Sequence, residues 1–255
     1  MKPQDFASDL LGYMVERRFQ PGEQLPTLNE LSAELGVSVN KLREQLEVAR
    51  ALGLVDVRPR AGIRVKAYSF LPAVRLSLLF ALLMDRSNFE AFSALRTAIE
   101  VGFWREAVSR LLPEDYERLD GLVKQAWAGL NDSPIRIPHR EHREFHLTIF
   151  SRLDNPFASA LLEAFWEAYE VTEYHVYADY QYLREVWAYH QRILEALRAG
   201  DVEGSLAAFI DHTRLIRYRH STGSEHPLPT GASAMPPNGA VALASDSQPR
   251  PARTE

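Results

Sequence analysis

Two helix-start signals lie close together near the amino terminus, and they restrict the fold more than any other feature of the sequence. The first is Thr27-Leu28-Asn29-Glu30, a capping box in which the threonine hydroxyl and the glutamate carboxylate accept hydrogen bonds from free backbone N–H groups. The second is Ser38, a favourable N-cap residue. Gly36 stands between them and is suited to end the first helix in a left-handed conformation. The pattern predicts two helices joined by a tight turn, the helix–turn–helix arrangement.

The neighbouring segments complete a small domain around these two helices. The apolar spacing predicts a preceding amphipathic helix over about Gln4–Arg18. Two short β-prone runs, 54–58 and 63–66, follow the helix pair and are joined by a turn with basic residues, which predicts a hairpin. We therefore predict a winged helix–turn–helix domain over residues 1–68. In such a domain the start of the third helix enters a major groove, and the hairpin reaches the neighbouring backbone or minor groove.

The stretch from Pro21 to Val65 resembles the amino-terminal module of the GntR family of transcription regulators. A proline–glycine turn, a leucine–proline pair, a glycine–valine–serine turn, the triplet Leu-Arg-Glu and a glycine-bearing wing occur in the family's order and spacing. The resemblance implies binding to double-stranded operator DNA. The residues that we expect near the DNA lie at helix starts and in the wing: Thr27, Ser38, Asn40, Lys41, Arg43, Arg58, Arg60 and Gly62.

Two positions depart from the family's pattern. Members usually carry arginines that contact DNA at the positions where this chain has Asn29 and Val39. The arginine of the Leu-Arg-Glu triplet, Arg43, is retained. Because arginine is the commonest bidentate reader of guanine, the family's usual operator sequence does not transfer to this chain.

The composition restricts the chemistry and the location of the protein. The net charge is −5, but residues 1–66 hold ten Lys or Arg and nine Asp or Glu, so the amino-terminal part is the least acidic. The chain has no cysteine, which excludes disulfides, cysteine zinc sites and thiol catalysis. The longest apolar runs are too short to span a bilayer, and acidic residues within the first apolar stretch make a poor signal peptide. We predict a cytoplasmic protein without membrane contact.

The rest of the chain divides into a helical part and a tail. Residues 70–221 show helical spacing throughout, which predicts a mainly α protein with an all-helical carboxyl-terminal bundle. One of its predicted helix starts is a capping box from Ser87 to Glu90. Residues 222–255 contain six prolines and three glycines but few large aliphatic residues. This composition cannot offset the chain entropy lost on folding, so we predict a disordered tail.

Four histidines of the helical part have spacings that suggest a metal site. His142 and His146 are four residues apart and therefore share a helix face. His190 and His212 lie at equal distances before and after Asp201. If the chain reverses beside Asp201 into two antiparallel helices, the two imidazoles come level. The residues alone do not bring the first pair to the second, and half-buried histidines paired with acids remain the alternative.

Residues 70–221 also resemble the FCD domain of the FadR subgroup of GntR regulators. The features that carry this resemblance are the step from Arg96 to Glu100, the pair Phe145-His146, Asn155-Pro156, and the spacing from His190 to His212. The resemblance implies that the chain acts as a homodimer and binds a small-molecule effector.

In metal-binding FCD members, an aspartate and three histidines bind one divalent ion. This chain has His142 at the position of the aspartate, so the resemblance implies a site of His142, His146, His190 and His212. It leaves open whether His142 is itself a ligand. Loss of the negative charge favours zinc or nickel over magnesium or calcium. Arg96 matches the family arginine that faces a small carboxylate effector, and an ion pair with Glu100 on the helix surface is the alternative for it.

Together these features predict a ligand-responsive regulator that binds a pseudo-palindromic operator as a dimer. Two alternatives stay open. One is a regulator whose effector pocket holds no metal. The other is a metal-dependent hydrolase, since histidines around a metal can activate water. The sequence shows no evident general base or nucleophile motif for the hydrolase, and we predict that the protein is not an enzyme.

Overall fold

The structure, a computed structural model, describes residues 7–171 and 179–222, without the side chains of Val171 and of residues 216–222. The described residues form an amino-terminal winged helix and a helical bundle, which confirms the predicted fold class. The winged helix comprises α1 (Asp9–Glu16), α2 (Leu28–Leu35), α3 (Val39–Ala51), β1 (Val55–Arg58) and β2 (Gly62–Val65). The bundle comprises α4 (Leu71–Met84), α5 (Asn88–Ser109), α6 (Pro113–Asn131), α7 (His139–Ile149), α8 (Pro156–Val171), α9 (Tyr180–Arg198) and α10 (Val202–Thr222).

The helix–turn–helix forms where the two start signals predict it. Thr27 and Glu30 make both hydrogen bonds of the capping box, and Gly36 ends α2 in the left-handed region with φ 66°. The Ser38 hydroxyl accepts a hydrogen bond from the Lys41 backbone N–H at 3.3 Å and so caps α3. Local hydrogen bonding thus sets the ends of both helices.

The first helix starts later than predicted. α1 begins at Asp9 because Ser8 lies in extended backbone and its side chain accepts from the Leu11 N–H, which is N-cap geometry. Gln45 on α3 accepts a hydrogen bond from the Leu10 N–H and ties this end of α1 to α3. The first residues of the predicted helix, Gln4–Phe6, lie outside the described residues.

The hairpin of the wing is a regular antiparallel pair. Val55 is opposite Val65, and Arg58 is opposite Gly62 at the turn. Val55, Ile63 and Val65 are buried and join Leu10, Leu31, Leu42 and Leu46 in one apolar core. The hairpin is therefore anchored to the three helices, while its turn extends into solvent.

The bundle has two apolar cores. In the smaller core, α4 and α5 pack against α8 through residues such as Leu78, Phe89 and Phe165. In the larger core, α6 lies against α7 and α9, and Trp104 of α5 stacks on Phe209 of α10.

The capping box predicted at Ser87 is wrong. Ser87 is itself helical with φ −62° and makes no side-chain cap bond, and its backbone N–H donates to the Asp85 carboxylate.

The last two helices form the predicted antiparallel pair. Gly200 reverses the chain between α9 and α10 with φ 72°, a conformation that favours glycine. The helix α10 ends at Thr222, and residues 223–255, on which the prediction of a disordered tail falls, lie outside the described residues. No helix in the described part of the chain combines the length and the apolar character needed to cross a membrane.

Candidate functional site: a buried histidine cluster and an exposed DNA-binding face

The structure brings the four predicted histidines together in the bundle. One ring nitrogen from each of His142, His146, His190 and His212, here called the histidine cluster, lies within 4.8 Å of the others. The two α7 residues are one helical turn apart and point the same way, as their spacing requires. The rings of His190 and His212 have centroids 4.3 Å apart, because the reversal at Gly200 places them level on neighbouring helices. Three helices therefore supply the cluster.

Burial keeps these imidazoles neutral. All four residues are buried, and removal from water disfavours the protonated ring. The pKa of His190 falls to about 3 for this reason, although its hydrogen bond to Val186 acts in the opposite direction. The pKa values of His142, His146 and His212 are also lowered well below the ordinary value, first by burial and then because a second positive charge beside Arg96 and the neighbouring histidines is unfavourable. Neutral imidazoles are the form that binds metal ions.

The hydrogen bonding of the cluster is incomplete. His190 Nδ1 lies 2.7 Å from the Val186 carbonyl oxygen, and His190 Nε2 lies 3.2 Å from His146 Nε2. His142 Nε2 and both ring nitrogens of His212 have no hydrogen-bond partner among the residues that the structure describes. Buried polar atoms normally have a partner, so three such nitrogens in one cluster indicate a ligand.

An arginine and a glutamate of α5 adjoin the cluster. Arg96 Nε lies 2.5 Å from Glu100 Oε2, so the ion pair given as the alternative for Arg96 is present. Both residues are buried, however, so the pair does not lie on the helix surface as that alternative had it. Arg96 Nη2 lies 2.8 Å from His146 Nδ1, and its guanidinium carbon lies 4.7 Å from the centroid of the Phe165 ring. Arg96 Nη1 and Nε have no hydrogen-bond partner within the described part of the chain, so the contact of Nε with Glu100 is an ion pair without hydrogen-bond geometry.

Glu100 is a further part of the site, which we did not predict. Its Oε1 lies 3.2 Å from His146 Nδ1, on the ring edge opposite Nε2. Burial raises the pKa of Glu100 to about 7, and the positive charge of Arg96 limits the rise. The spacing from Arg96 to Glu100 was visible in the sequence, but the contact with α7 depends on helix packing and had no local signal.

The cluster fits a divalent ion such as zinc or nickel. Four neutral imidazoles are a donor set that both ions accept, and three of their nitrogens lack another partner among the described residues. Ligand nitrogens around a tetrahedral zinc ion are about 3.4 Å apart, given Zn–N distances near 2.1 Å. The widest separation in the cluster is 4.8 Å, so the rings need only a modest movement toward each other.

The predicted DNA-contact residues of the helices lie on the exposed start of α3 and the adjoining cap of α2. Thr27, Ser38, Asn40, Lys41 and Arg43 are all exposed. The Arg43 Nη1 group donates to Asn40 Oδ1 at 2.9 Å, which orients both side chains at the same end of the helix. The Thr27 and Ser38 hydroxyls take part in the caps.

Lys41 is already paired within the domain. Its ammonium group lies 2.9 Å from the carboxylate of Asp9 on α1. The pKa of Asp9 is lowered, first by a hydrogen bond from Gln45 and then by Lys41. A phosphate that contacts Lys41 therefore competes with this carboxylate, whereas Arg43 has no acidic partner within the described residues.

The wing presents a basic surface that is larger than predicted. Arg58 and Arg60 are exposed, and Arg60 lies at the turn with a positive φ of 65°. Arg58 is held by Asp56 at 2.6 Å. Arg64 on β2 and Lys66, which directly follows the strand, are also exposed, and we did not predict either of them as a contact. Strand alternation could have found them, because they alternate with the buried residues Ile63 and Val65.

A separate groove of about 340 Å³ lies along α6, α7 and α8, and its charged side chains are paired with one another. Its two arginines, Arg118 and Arg143, are paired with Glu144 and Glu163. Because these charges compensate each other, we do not assign the groove a role.

Comparison with known proteins agrees with this division of the chain. Residues 7–65 match the family described as bacterial regulatory proteins, gntR family, and residues 91–215 match the FCD domain. The chain is similar to the HTH-type transcriptional regulator LutR of Bacillus subtilis, with 26% identity over 76% of this chain and 89% of LutR. It is also similar to the putative L-lactate dehydrogenase operon regulatory protein of Escherichia coli, with 26% identity over 79% of each chain.

A solved structure shows a similar fold. Streptococcus agalactiae GntR aligns with a TM-score of 0.59 and 19% identity, over 82% of this chain and 95% of that chain. At this identity the likeness concerns the fold alone. The two family matches together cover most of the residues described above, and the relatives are transcription regulators rather than enzymes. The chain therefore belongs to the GntR family of bacterial regulatory proteins, carries an FCD domain in its carboxyl-terminal part, and is a transcription regulator of this type.

Proposed function

We propose that the protein is a cytoplasmic, ligand-responsive regulator that binds a pseudo-palindromic operator as a homodimer and senses a small carboxylate at a metal-loaded histidine cluster. The observation that carries the sensing part is the convergence of four buried, neutral histidines, three of whose nitrogens lack a partner among the described residues. A buried set of this kind is costly to maintain without a ligand.

The DNA-binding part of the proposal rests on the exposed start of α3 and on the wing. In a winged helix the start of α3 enters the major groove, where Arg43 and Asn40 have the hydrogen-bonding groups that read guanine and adenine. The wing residues Arg58 and Arg60, with Gly62 at the turn, face the phosphate backbone or the minor groove. These roles are proposals for this chain, and its operator differs from that of members with arginine at positions 29 and 39.

The effector part of the proposal rests on Arg96. A guanidinium beside a divalent ion suits a carboxylate, because arginine binds carboxylates through two parallel N–H groups. One relative is named as a putative regulator of an L-lactate dehydrogenase operon, so L-lactate is the first carboxylate to test. We propose zinc or nickel as the ion, since all four candidate ligands are imidazoles.

The homodimer part of the proposal rests on α4. This helix is apolar on nearly all sides, and among the described residues it packs mainly on α8, with a smaller contact to α5. On the other side, four large residues are more than half exposed: Leu76, Phe80, Leu83 and Met84. A helix that is apolar all round is normally covered all round. A second copy of the chain offers the same apolar face, as a twofold interface requires.

The test of the regulatory function measures binding to DNA from the region upstream of the protein's own gene, by fluorescence anisotropy. We expect sequence-selective binding whose affinity changes when zinc and L-lactate are both added. Absence of selective binding under every condition would refute the regulator, whereas selective binding without metal in the purified protein would favour a metal-free effector site. Turnover of ester or amide substrates by the zinc-loaded protein would instead support the hydrolase.

The test of the dimer uses Leu83→Glu, which places a charge at the most exposed residue of the α4 face. We expect the variant to be monomeric by sedimentation and to lose affinity for a two-half-site operator. The matched control is Leu112→Glu, since Leu112 is an exposed leucine that is not part of α4 and stands at the start of α6. A dimeric Leu83→Glu variant would exclude α4 as the interface.

A further inference from the structure

Two groups with opposite requirements contact the same ring nitrogen of His146. Arg96 Nη2, which can only donate a hydrogen bond, lies 2.8 Å from His146 Nδ1. Glu100 Oε1, which only accepts when ionised, lies 3.2 Å from the same nitrogen. The imidazole is neutral, so Nδ1 either carries the ring proton or accepts a hydrogen bond. Only one of the two neighbours is satisfied at a time.

In one tautomer His146 bonds to Arg96. Nδ1 accepts from Arg96, and the Nε2–H group of His146 donates to His190 Nε2 at 3.2 Å. His190 in turn donates from Nδ1 to the Val186 carbonyl oxygen at 2.7 Å, since a carbonyl can only accept. This arrangement pairs every one of these ring nitrogens. It also occupies both Nε2 atoms with each other and leaves neither available to a metal ion.

In the other tautomer His146 bonds to Glu100. The Nδ1–H group donates to Glu100 Oε1, and Nε2 carries a lone pair. The Nε2 atom of His190 also carries a lone pair, because its proton is held at Nδ1 by Val186. Two lone pairs 3.2 Å apart repel each other, and a cation bound by both relieves the repulsion. A carboxylate behind the imidazole is also the usual support of a metal-bound histidine.

We propose that metal binding and carboxylate binding are coupled through the tautomer of His146. When a divalent ion binds, His146 Nδ1 changes from accepting a hydrogen bond from Arg96 to donating one to Glu100. The Nε2 proton passes to water and water supplies the proton at Nδ1, so the ring stays neutral and no net proton is gained or released. This inference rests on the proposed function, because it concerns the same metal and effector site.

The switch changes what Arg96 can bind. With a proton on His146 Nδ1, Arg96 Nη2 faces a donor and loses its partner. Its Nη1 group already has none among the described residues, while Nε stays beside Glu100. Two free guanidinium nitrogens form the fork that binds a carboxylate. Binding of a metal ion therefore raises the affinity of Arg96 for a carboxylate. By thermodynamic reciprocity, binding of the carboxylate raises the affinity of the cluster for the metal ion.

The direct test is the tautomer itself. Protein labelled with ¹⁵N-histidine is studied by long-range ¹H–¹⁵N NMR at pH 8, above the pKa of about 7 for Glu100. The His146 signals are those absent from His146→Gln. We expect the ring proton at Nε2 in chelator-treated protein and at Nδ1 after addition of zinc. The same tautomer in both states, or zinc bound through Nδ1, would overturn the inference.

Variants test the two neighbours separately. Glu100→Gln removes the charge that supports the second tautomer, and we expect the affinity for zinc to fall about 10- to 100-fold. The matched control is Glu141→Gln, since Glu141 is a buried carboxylate of α7 that pairs with Arg136 instead; we expect its zinc affinity to be unchanged. Equal losses in both variants would contradict a specific role for Glu100.

Arg96→Lys tests the coupling, with acetate as the probe. In the wild type we expect excess acetate to raise the affinity for zinc at least about fivefold. In the variant, which keeps the charge but not the fork, we expect the effect to disappear. Persistence of the effect would mean that acetate does not use Arg96 and would overturn the coupling.

The outcomes also distinguish this inference from the proposed function. Failure of the protein to take up zinc would overturn the metal part of the proposed function as well. A fixed tautomer in zinc-loaded, operator-binding protein would overturn this inference alone.

Discussion

The winged helix and the histidine cluster place their candidate functional groups in opposite environments. On the winged helix, Asn40 and Arg43 stand in solvent on a helix whose start is set by the Ser38 cap. In the cluster, the imidazoles lie out of solvent, on three separate helices of the bundle. A substitution on the exposed face changes recognition with little effect on stability, whereas one in the cluster changes binding and stability together.

The largest expected difference between the two regions is their response to low pH, which protonates the histidines of the cluster on unfolding. The four imidazoles of the cluster are neutral when folded and titrate near pH 6.5 when unfolded. As the pH falls through 6.5 the unfolded chain therefore binds more protons, and each histidine removes stability with a slope that approaches about 1.4 kcal/mol per pH unit well below pH 6.5. Glu100 acts in the opposite sense between about pH 4.5 and 7, because its folded pKa is raised to about 7.

The measurement is urea unfolding of chelator-treated protein at several pH values between 7.5 and 5.5. We expect stability to fall steeply over this range, and the average slope to become shallower by about 0.7 kcal/mol per pH unit in His212→Gln, because the unfolded histidine is half protonated at the middle of the range. An unchanged slope in this variant would mean that His212 is not held neutral in the folded protein.

Removal of a single cluster histidine is expected to weaken metal binding strongly. His190→Gln replaces a ring whose Nδ1 is already fixed by Val186, so its Nε2 is the nitrogen left for an ion. We expect zinc affinity to fall by at least about a hundredfold, the upper range seen for lost supporting groups. Isothermal titration measures the zinc affinity. The control is His139→Gln, a histidine of α7 outside the cluster, and equal losses would refute the assignment.

The same contrast explains what the sequence could predict. The ends of α2 and α3 followed from Thr27, Gly36 and Ser38, because capping is decided by residues a few positions apart. The approach of His190 to His212 also followed, since a reversal at Gly200 fixes the register of two antiparallel helices. These features depend on short stretches of chain.

The rest depends on packing between distant segments, for which single residues carry no signal. Nothing in the sequence showed that Glu100 of α5 contacts His146 of α7, nor that Arg96 is buried instead of lying on a helix surface. The exposed face of α4 was missed for the same reason, because its apolar run looks like the interior of a bundle. The amino-acid pattern therefore predicts where helices end and which residues share a helix face. Which other helix packs against that face depends on the tertiary fold.

Arg43→Ala is expected to weaken operator binding and leave the bundle unchanged. Loss of one bidentate base contact costs about 1–3 kcal/mol, or roughly 5- to 150-fold in affinity. The matched control is Arg50→Ala, since Arg50 is exposed at the far end of the same helix and pairs with Glu47. Anisotropy titrations at several salt concentrations measure both variants. Equal weakening in the two would indicate a general loss of positive charge, and unchanged zinc affinity checks that the cluster is intact.

The smallest expected effect concerns the helix ends, and it compares one cap in each region. Thr27→Ala removes a hydroxyl that accepts from the Glu30 N–H at the start of α2, and such losses cost about 1 kcal/mol. Ser87→Ala is the counterpart in the bundle, where the predicted cap does not form and the side chain makes no cap bond at the start of α5. Urea unfolding at pH 7.5 measures both. We expect Thr27→Ala to lose about 1 kcal/mol and Ser87→Ala to be unchanged, because a residue with good cap chemistry stabilises a helix only when its backbone is extended. A loss at Ser87 equal to that at Thr27 would show that its hydroxyl caps α5 in solution.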